Sequence, residues 1–543
     1  GCVRGVMATN LGALSVSLGI FWVVGQPALC GFPKVIPSQG EPWPAPREFD
    51  SLTTSYTVNP DQLRFFATKV SCPDLDTAIL RFNRQLKGIR QSHTTKISNN
   101  ISSEPEVDFK GNLEVELLTP CGLNTVPQLG DAEDYNIYIN SRYEDRAVLR
   151  SNSLWGIYYA METCTQLIYY SPSDGAFKLR QGTIRDFPRF QHRGLLIDTS
   201  RHYITKDILK MHLDLMSQNK MNVFHWHIVD DPSFPFVSRK YPDLSRLGAY
   251  TPELVYTERD VSEISEYARL RGIRVLPEFD TPGHMRSWGA SQPDLLTRCY
   301  DPDGQPNGKF GSIDPTREAN FEFVQNLLEE VADRFPDRFL HLGGDEVSFG
   351  FECWRSNPNI QRWMQDNDIR SNEELESFYI ARLEQLEKRK THIYWQEVFD
   401  NRAGFTVNNN TVLHVWKVDW KRTMNAMTRS GYRVILSSCW YLNYISYGVD
   451  WHKYYQCDPE DFFGDPQQKD LVMGGEACMW SEYADNTNIV PRTWPRAAVV
   501  AERLWSSRDL VSTRAAEKRL EEHRCRLLRR GYPVQSINGP GHC

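Results

Sequence analysis

The chain has 543 residues, 40% hydrophobic and 24% charged. That is too long for one ordinary core and too apolar for a disordered or fibrous protein, so two domains, or a large barrel with a second domain, are expected. With 62 basic against 69 acidic residues the net charge is -7, and no basic run exceeds Lys388-Arg389-Lys390, which argues against a nucleic-acid partner. Internal repeats, CxxC pairs, GxGxxG and GxxxxGK[ST] are all missing, which removes zinc ribbons and the common nucleotide folds.

The first element is an apolar run from Leu11 to Gly25, preceded by Arg4 and followed by Ala28 and Cys30. Its length suits the core of a signal peptide and is short for a membrane span. Residues 1–30 are therefore assigned to a signal peptide cut before Gly31, with a retained anchor as the alternative. In that compartment the 12 cysteines read as disulfides, and Asn100-Ile101-Ser102 and Asn409-Asn410-Thr411 read as glycosylation sites. The expected route is the secretory pathway, ending in the lysosome or outside the cell.

Residues 31–187 follow as a small α/β domain. Alternating residues predict strands at Asn112 to Thr119 and Asp134 to Ile139. Leu154, Ile157, Tyr158, Met161 and Thr165 recur at helical spacing. Nothing in this part assembles into a chemical site.

From Gln191 the texture changes to short apolar strands alternating with amphipathic helices. Strands are predicted at Gly194–Asp198, Asn222–Val229, Ile273–Phe279, Phe339–Gly343, His392–Trp395, Val412–Trp416, Arg433–Leu436 and Val472–Ala477. Most are near-continuous apolar runs, as strands buried on both faces should be. Apolar stripes such as Phe321, Val324, Leu327, Leu328 and Val331 supply the crossover helices. The fold class is thus α/β, with residues 188–543 forming a (β/α)8 TIM barrel beside the smaller N-terminal α/β domain.

In such a barrel, chemistry gathers where strands end. His227 and Asp230 close the second strand, Glu278 and His284 follow the third, Asp345-Glu346 the fourth, Trp395 the fifth and Trp416 the sixth. Tyr441 and Asn443 follow the seventh, and Trp480 and Glu482 the eighth. Tryptophans beside carboxylates and amides suit a pyranose ring, whose C–H faces stack on indole while its hydroxyls need polar partners. Within HLGGDEVSF, Glu346 among aromatics is expected to have a raised pKa and to donate a proton to a leaving glycosidic oxygen. Adjacent acids cannot easily stand on opposite faces of one sugar, as an ordinary two-carboxylate glycosidase requires. A 2-acetamido group on the substrate would then serve as nucleophile, with Glu346 as acid and base and Asp345 holding the acetamide N–H. His225 and His227 share a strand face, but nearby acids more naturally orient them than a metal does, so neither a metal nor a cofactor is expected.

The blocks HRGLLIDTSRHY, NVFHWHIVDDPSFP, PEFDTPGH, HLGGDE, WQEVF, SSCWYLN, GGEACMWSEY and WPRAAVVAERLW, in this order, closely resemble family 20 glycoside hydrolases, the β-N-acetylhexosaminidases. The resemblance runs from about Trp43 to the C-terminus and is strongest with the animal lysosomal subunits. It implies exo-acting removal of terminal GlcNAc or GalNAc from glycans, glycoproteins or glycolipids, and a dimer. By matching motifs, Arg193 and Glu482 would bind outer hydroxyls and Trp395, Trp416 and Trp480 would wall the acetamide pocket. Tyr441 would bond the acetamide carbonyl, and Asp230, His227 and His284 would support the acid. It also implies disulfides Cys72–Cys121, Cys299–Cys353 and Cys525–Cys543, with free buried thiols among Cys164, Cys439, Cys457 and Cys478. Tyr444 follows Asn443 where the family's α-type has a basic residue and its β-type an acidic-apolar pair. A catalytically silent sugar-binding protein on the same barrel would have no use for Asp345, Glu346 and Tyr441 together. A metal-dependent deacetylase would lose activity to a chelator.

Overall fold

A computed structural model describes residues 35–91, 106–109, 111–122, 124–140, 146–403, 407–446, 448–538 and 543. The expected signal peptide and the Asn100 sequon lie outside these residues. Asn409 sits exposed at a turn. Among the described residues no helix is long and apolar enough to cross a membrane.

The N-terminal part is one mixed sheet. Its strands run in the order Glu48–Val58, Ala176–Asp186, Tyr135–Ile139, Arg146–Ser151, Asn112–Leu117 and Arg64–Ala67, with Ile168–Ser171 paired to Ala176–Asp186. Helices Pro73–Gln91 and Leu154–Gln166 pack against it. Every residue of Leu154–Gln166 is buried, because the helix lies between the sheet and the barrel helix Lys206–Gln218. The chain leaves the sheet at Asp186, whose buried carboxylate accepts from Lys220 Nζ at 2.9 Å and from Trp505 Nε1 at 2.9 Å, tying the two parts together.

Eight parallel strands then close into a barrel: β1 His192–Asp198, β2 Val223–Val229, β3 Arg274–Phe279, β4 Phe339–His341, β5 Thr391–Trp395, β6 Val412–Val415, β7 Arg433–Leu436 and β8 Val472–Met479. Each coincides with a strand expected from its apolar run. Helices cover the outside. Glu258–Arg269 shows why they start where they do, since Thr257 accepts from Asp260 N while the Asp260 carboxylate caps Thr257 N.

The barrel interior is layered. At the N-terminal end Val223, Leu276, Phe339, Ile393, Val412, Ile435 and Met473 form an apolar plug. At the mouth Leu196, Trp395, Tyr441, Cys478 and Trp480 form a second cluster. Between them runs a buried column of alternating imidazoles and carboxylates. Glu476 holds His192 at 2.6 Å and His225 at 2.8 Å, and His225 lies 3.0 Å from Glu278. Glu278 meets His227 at 2.6 Å, and His227 meets Asp230 at 2.9 Å. Gly194 makes room for the column, because a Cβ there would fall 2.4 Å from Glu476 Cγ.

Charge in this column is balanced internally. Burial alone would lower His225 and His227, but Glu476 and Glu278 raise His225 to about 9, and Glu278 and Asp230 raise His227 to about 10. Against burial, those histidines hold Glu278 and Glu476 well below the carboxylate range. His414, stacked on Trp395 with centroids 4.1 Å apart, is pushed down by burial and stays neutral.

Among the described residues there are four disulfides: Cys72–Cys121, Cys299–Cys353, Cys525–Cys543 and Cys439–Cys457. The last takes two cysteines from the set expected to include free thiols, because Cys439 just past β7 and Cys457 at the end of helix Trp451–Gln456 are brought together by tertiary packing. Cys164 and Cys478 remain free and buried.

Candidate active site

Asp345 and Glu346 follow β4 across Gly343 and Gly344, both at positive φ, +69° and +92°. Gly344 N donates to Asp280 Oδ1 at 2.9 Å, and a Cβ on Gly343 would fall 1.6 Å from that same oxygen. Only glycine fits such an approach. Glu346 itself has φ 52° and His284 has φ 54°. These conformations are costly for residues with side chains and persist where the surroundings hold them.

His284 brings the acids together. Its Nε2 lies 3.5 Å from Glu346 Oε2 and 3.6 Å from Asp345 Oδ2, while Nδ1 lies 3.1 Å from Asp230. Burial works against the imidazolium, but Asp345, Asp280 and Asp230 raise His284 well above its ordinary value. Asp230 continues into the column through His227, so the mouth is joined by hydrogen bonds to the barrel interior.

The expected rise of the Glu346 pKa is not found. Its carboxylate is lowered, first by the hydrogen bond to His284 and only then opposed by burial, because the side chain keeps 38% exposure beside a cation. The neighbour that does rise is Asp280, pushed well above its usual range by burial and by the charge of Asp345.

Arg193 also departs from expectation. It stands at the N-terminal end of β1, fully buried, bonded to Glu133 at 2.6 Å and to the carbonyls of Lys220 and Phe190. It therefore faces the domain junction at the end of the barrel opposite the acids. The arginine at the mouth is Arg201, three residues past β1. It pairs with Asp230 at 2.8 Å and Asp198 at 3.2 Å and lies 5.0 Å over the Trp480 ring. The barrel rule applied to HRGLLIDTSRHY points to Arg201, since of its two arginines only that one follows the strand.

The aromatic residues form one cluster at the barrel mouth. Trp395 and Trp480 lie 6.1 Å apart at 45°, and Trp416 and Tyr441 are nearly parallel at 6.1 Å and 22°. Each wall has a buried acid behind it: Trp395 Nε1 donates to Glu278 at 2.7 Å, and Trp416 Nε1 to Glu397 at 2.9 Å. Glu397, two residues past β5, carries no sequence signal beyond that position. Glu482 is exposed past β8 and adds to the negative field on Arg201. Asn443 is half-buried, and Tyr444 is 59% exposed with its ring stacked on Tyr441 at 5.7 Å.

Both nitrogens of His225 and of His227 lie within ion-pair distance of carboxylate oxygens. Chemically, the site offers a flat-walled recess, an acid beside an imidazolium, a second carboxylate next to it, and a guanidinium.

Comparison with known proteins shows the family. Residues 190–508 match the model of the glycosyl hydrolase family 20 catalytic domain, and residues 42–167 match a domain described as beta-acetyl hexosaminidase like. The chain is 45% identical to beta-hexosaminidase subunit alpha of Bos taurus, with 92% of this chain and 94% of that one covered. It is 45% identical to beta-hexosaminidase subunit beta of Homo sapiens, with 87% and 83% covered. Among solved structures, the chitobiase of Flavobacterium johnsoniae superposes with a TM-score of 0.76 at 26% identity, covering 90% of this chain and 73% of that one.

Proposed function

The chain belongs to glycosyl hydrolase family 20, and from that premise we infer that it is an exo-acting β-N-acetylhexosaminidase that retains anomeric configuration through its substrate's acetamide. One observation carries the assignment of roles. Asp345 and Glu346 flank the same imidazole nitrogen of His284, beside a recess walled by tryptophan and tyrosine. Two acids placed so closely serve one face of a sugar, so the nucleophile comes from the substrate.

The terminal sugar stacks on Trp480 while Arg201 and Glu482 bind its outer hydroxyls. Trp395, Trp416 and Tyr441 enclose the acetamide. The acetamide oxygen attacks the anomeric carbon as Glu346 passes its proton to the departing glycosidic oxygen. Asp345 accepts from the acetamide N–H and stabilises the oxazolinium charge. Glu346 then takes a proton from water, which opens the ring with overall retention. In the free protein the hydrogen bond from His284 lowers the Glu346 pKa. A sugar laid over the carboxylate removes its remaining water, which favours the protonated acid needed for the first step.

Substrates are glycans, and terminal GlcNAc or GalNAc on glycoproteins and glycolipids fits the recess. Four disulfides and an exposed Asn409 sequon support a secretory-pathway protein working in an acidic compartment such as the lysosome. A dimer is inferred from the family alone.

The test compares hydrolysis of 4-nitrophenyl sugars that differ only at C2, between about pH 3.5 and 7. The acetamido sugars should be cleaved and their 2-hydroxy counterparts should not. Glu346→Gln should lower turnover on poor leaving groups by about 10² or more. An inverted product, or a glycosyl ester trapped on the protein, would refute the assignment.

A further inference from the structure

Far from the barrel mouth, a cavity of about 720 Å³ opens between helix Pro73–Gln91, the end of barrel helix Lys206–Gln218 and the C-terminal helix Thr513–Arg529. Six arginines line it: Arg81, Arg84, Arg271, Arg526, Arg529 and Arg530. Among the described residues three carboxylates face them, and each is already engaged. Asp214 pairs with Arg271 at 2.6 Å, Glu162 with Arg530 at 2.8 Å and Glu522 with Arg526 at 3.3 Å. Glu522 also accepts from Ser38 Oγ and Gly40 N, and Asp214 from the Tyr267 hydroxyl, so their remaining capacity is largely used.

Arg81, Arg84 and Arg529 are left with no carboxylate within ion-pair distance among the described residues. Arg81 donates to the Leu270 carbonyl and lies over the Tyr158 ring, and it has Arg271 as a neighbour. In a protein of net charge -7, three guanidiniums without an ion-pair contact, two of them sharing the more distant charges of Asp214 and Glu522, give one cavity lined by six arginines a local reversal of sign. Burial, aided by Arg271, pushes Arg81 down to about 10, and burial pushes Arg526 down to about 10 although Glu522 is beside it. The cavity thus holds cations that are short of counter-charge.

We propose that this cavity binds a phosphate or sulfate monoester on a sugar-sized body. Planar guanidiniums match the oxygens of a tetrahedral oxyanion, and Arg84 and Arg529, both exposed, can reach an incoming ester without leaving another partner. Phe82, Tyr169 and Tyr532 supply the flat walls that an attached ring would cover. The volume suits a ligand of mono- or disaccharide size. The site is separate from catalysis, since none of its residues belongs to the barrel mouth.

Isothermal titration of the full chain at pH 5 and pH 7 would use glucose 6-phosphate, galactose 6-sulfate, inorganic phosphate, inorganic sulfate and glucose. These probes carry no acetamido group, so the catalytic recess does not answer for them. The two esters should bind, each at least tenfold more tightly than its inorganic anion, and glucose should give no signal. Arg84→Gln with Arg529→Gln should weaken ester binding at least tenfold and leave turnover of a neutral 4-nitrophenyl substrate unchanged. The phosphate and sulfate arms show which ester is preferred, and binding of either sustains the proposal. Failure of both esters to bind below about 10 mM, equal affinity for the inorganic anions, or binding indifferent to the double substitution would overturn it.

Discussion

Asp230→Asn separates the two tasks this carboxylate performs. Asp230 is 1% exposed and faces three cationic groups, Arg201 at 2.8 Å, His227 at 2.9 Å and His284 at 3.1 Å. Burial opposes its charge, but His227, His284 and Arg201 hold it far below the ordinary carboxylate range. One unit charge about 4 Å away, at an effective dielectric near 20, is worth roughly 4 kcal/mol. The amide removes that attraction for all three groups at once. Arg201 keeps Asp198 and His284 keeps Asp345 and Asp280, so folding should survive. What fails is the anchor on His284 Nδ1 that fixes the ring, and with it the position from which Glu346 donates its proton. Proton donation contributes about 10² to 10⁴ in rate, and most of the lower figure should be lost with a poor leaving group. Turnover should be measured on arylglycosides whose phenols span several pKa units, with melting temperatures as the control for folding. The expected pattern is a loss near 10² for the most basic phenol, shrinking below tenfold for 2,4-dinitrophenol, with KM rising less than kcat falls. Equal losses across the series would show that Asp230 acts only by holding Arg201 against the sugar, and the relay through His284 would be wrong.

Asp345→Asn should leave the melting temperature unchanged and raise the barrier by roughly 3 kcal/mol, because an amide cannot balance an oxazolinium; unchanged kcat removes Asp345 from the mechanism. Tyr444→Arg should raise kcat/KM on a 6-sulfo-GlcNAc arylglycoside about ten- to hundredfold relative to the neutral sugar, since a charge-assisted bond contributes about 1.5 to 3 kcal/mol and Tyr444 is 59% exposed beside Tyr441. An unchanged ratio places that ring outside sugar recognition. Stability should fall from acid toward alkaline pH through Glu376, which burial lifts from 4.5 to about 8. The folded protein holds a proton there that the unfolded chain releases above about 4.5, so the stabilisation is complete below that pH and is lost as pH rises through about 8, on the order of 4 kcal/mol in all. Chemical denaturation at pH 5 and pH 8 measures the slope, and Glu376→Gln should flatten it; an identical slope in the variant assigns it to other groups.

All eight barrel strands were legible because strands buried on both faces are written as apolar runs, and the residues closing them marked the mouth. Arg193 and Arg201 show where reading failed. Both lie in one block, and the resemblance pointed to the one at the start of β1, whereas strand direction places Arg201 at the mouth and Arg193 against Glu133. The direction of the Glu346 shift differs because aromatics raise an acid while His284, expected at the mouth only as a support, carries a positive charge that lowers it, a charge set by acids on other strands. Glu476 and Glu397 could not be singled out, since an acid inside GGEACMW or WQEVF has no distinguishing local pattern. Its meaning comes from partners on other strands. The Cys439–Cys457 pair is hidden for the same reason.

The imidazole–carboxylate column gives this barrel a filling that differs in kind from hydrocarbon. An apolar interior tolerates exchanges that conserve volume, because dispersion has no direction. Here the ring nitrogens of His225 and His227 lie 2.6 to 3.0 Å from particular carboxylate oxygens, and any shortened or re-aimed member leaves a neighbour's charge stranded. Divergence of such a protein is therefore channelled outward: loops around the rim can change length and chemistry one residue at a time, while the axis can change only by coordinated replacement of several residues together. Libraries that randomise the rim should yield many folded variants with altered selectivity, and libraries directed at His192, His225, Glu278 or Glu476 should yield almost none.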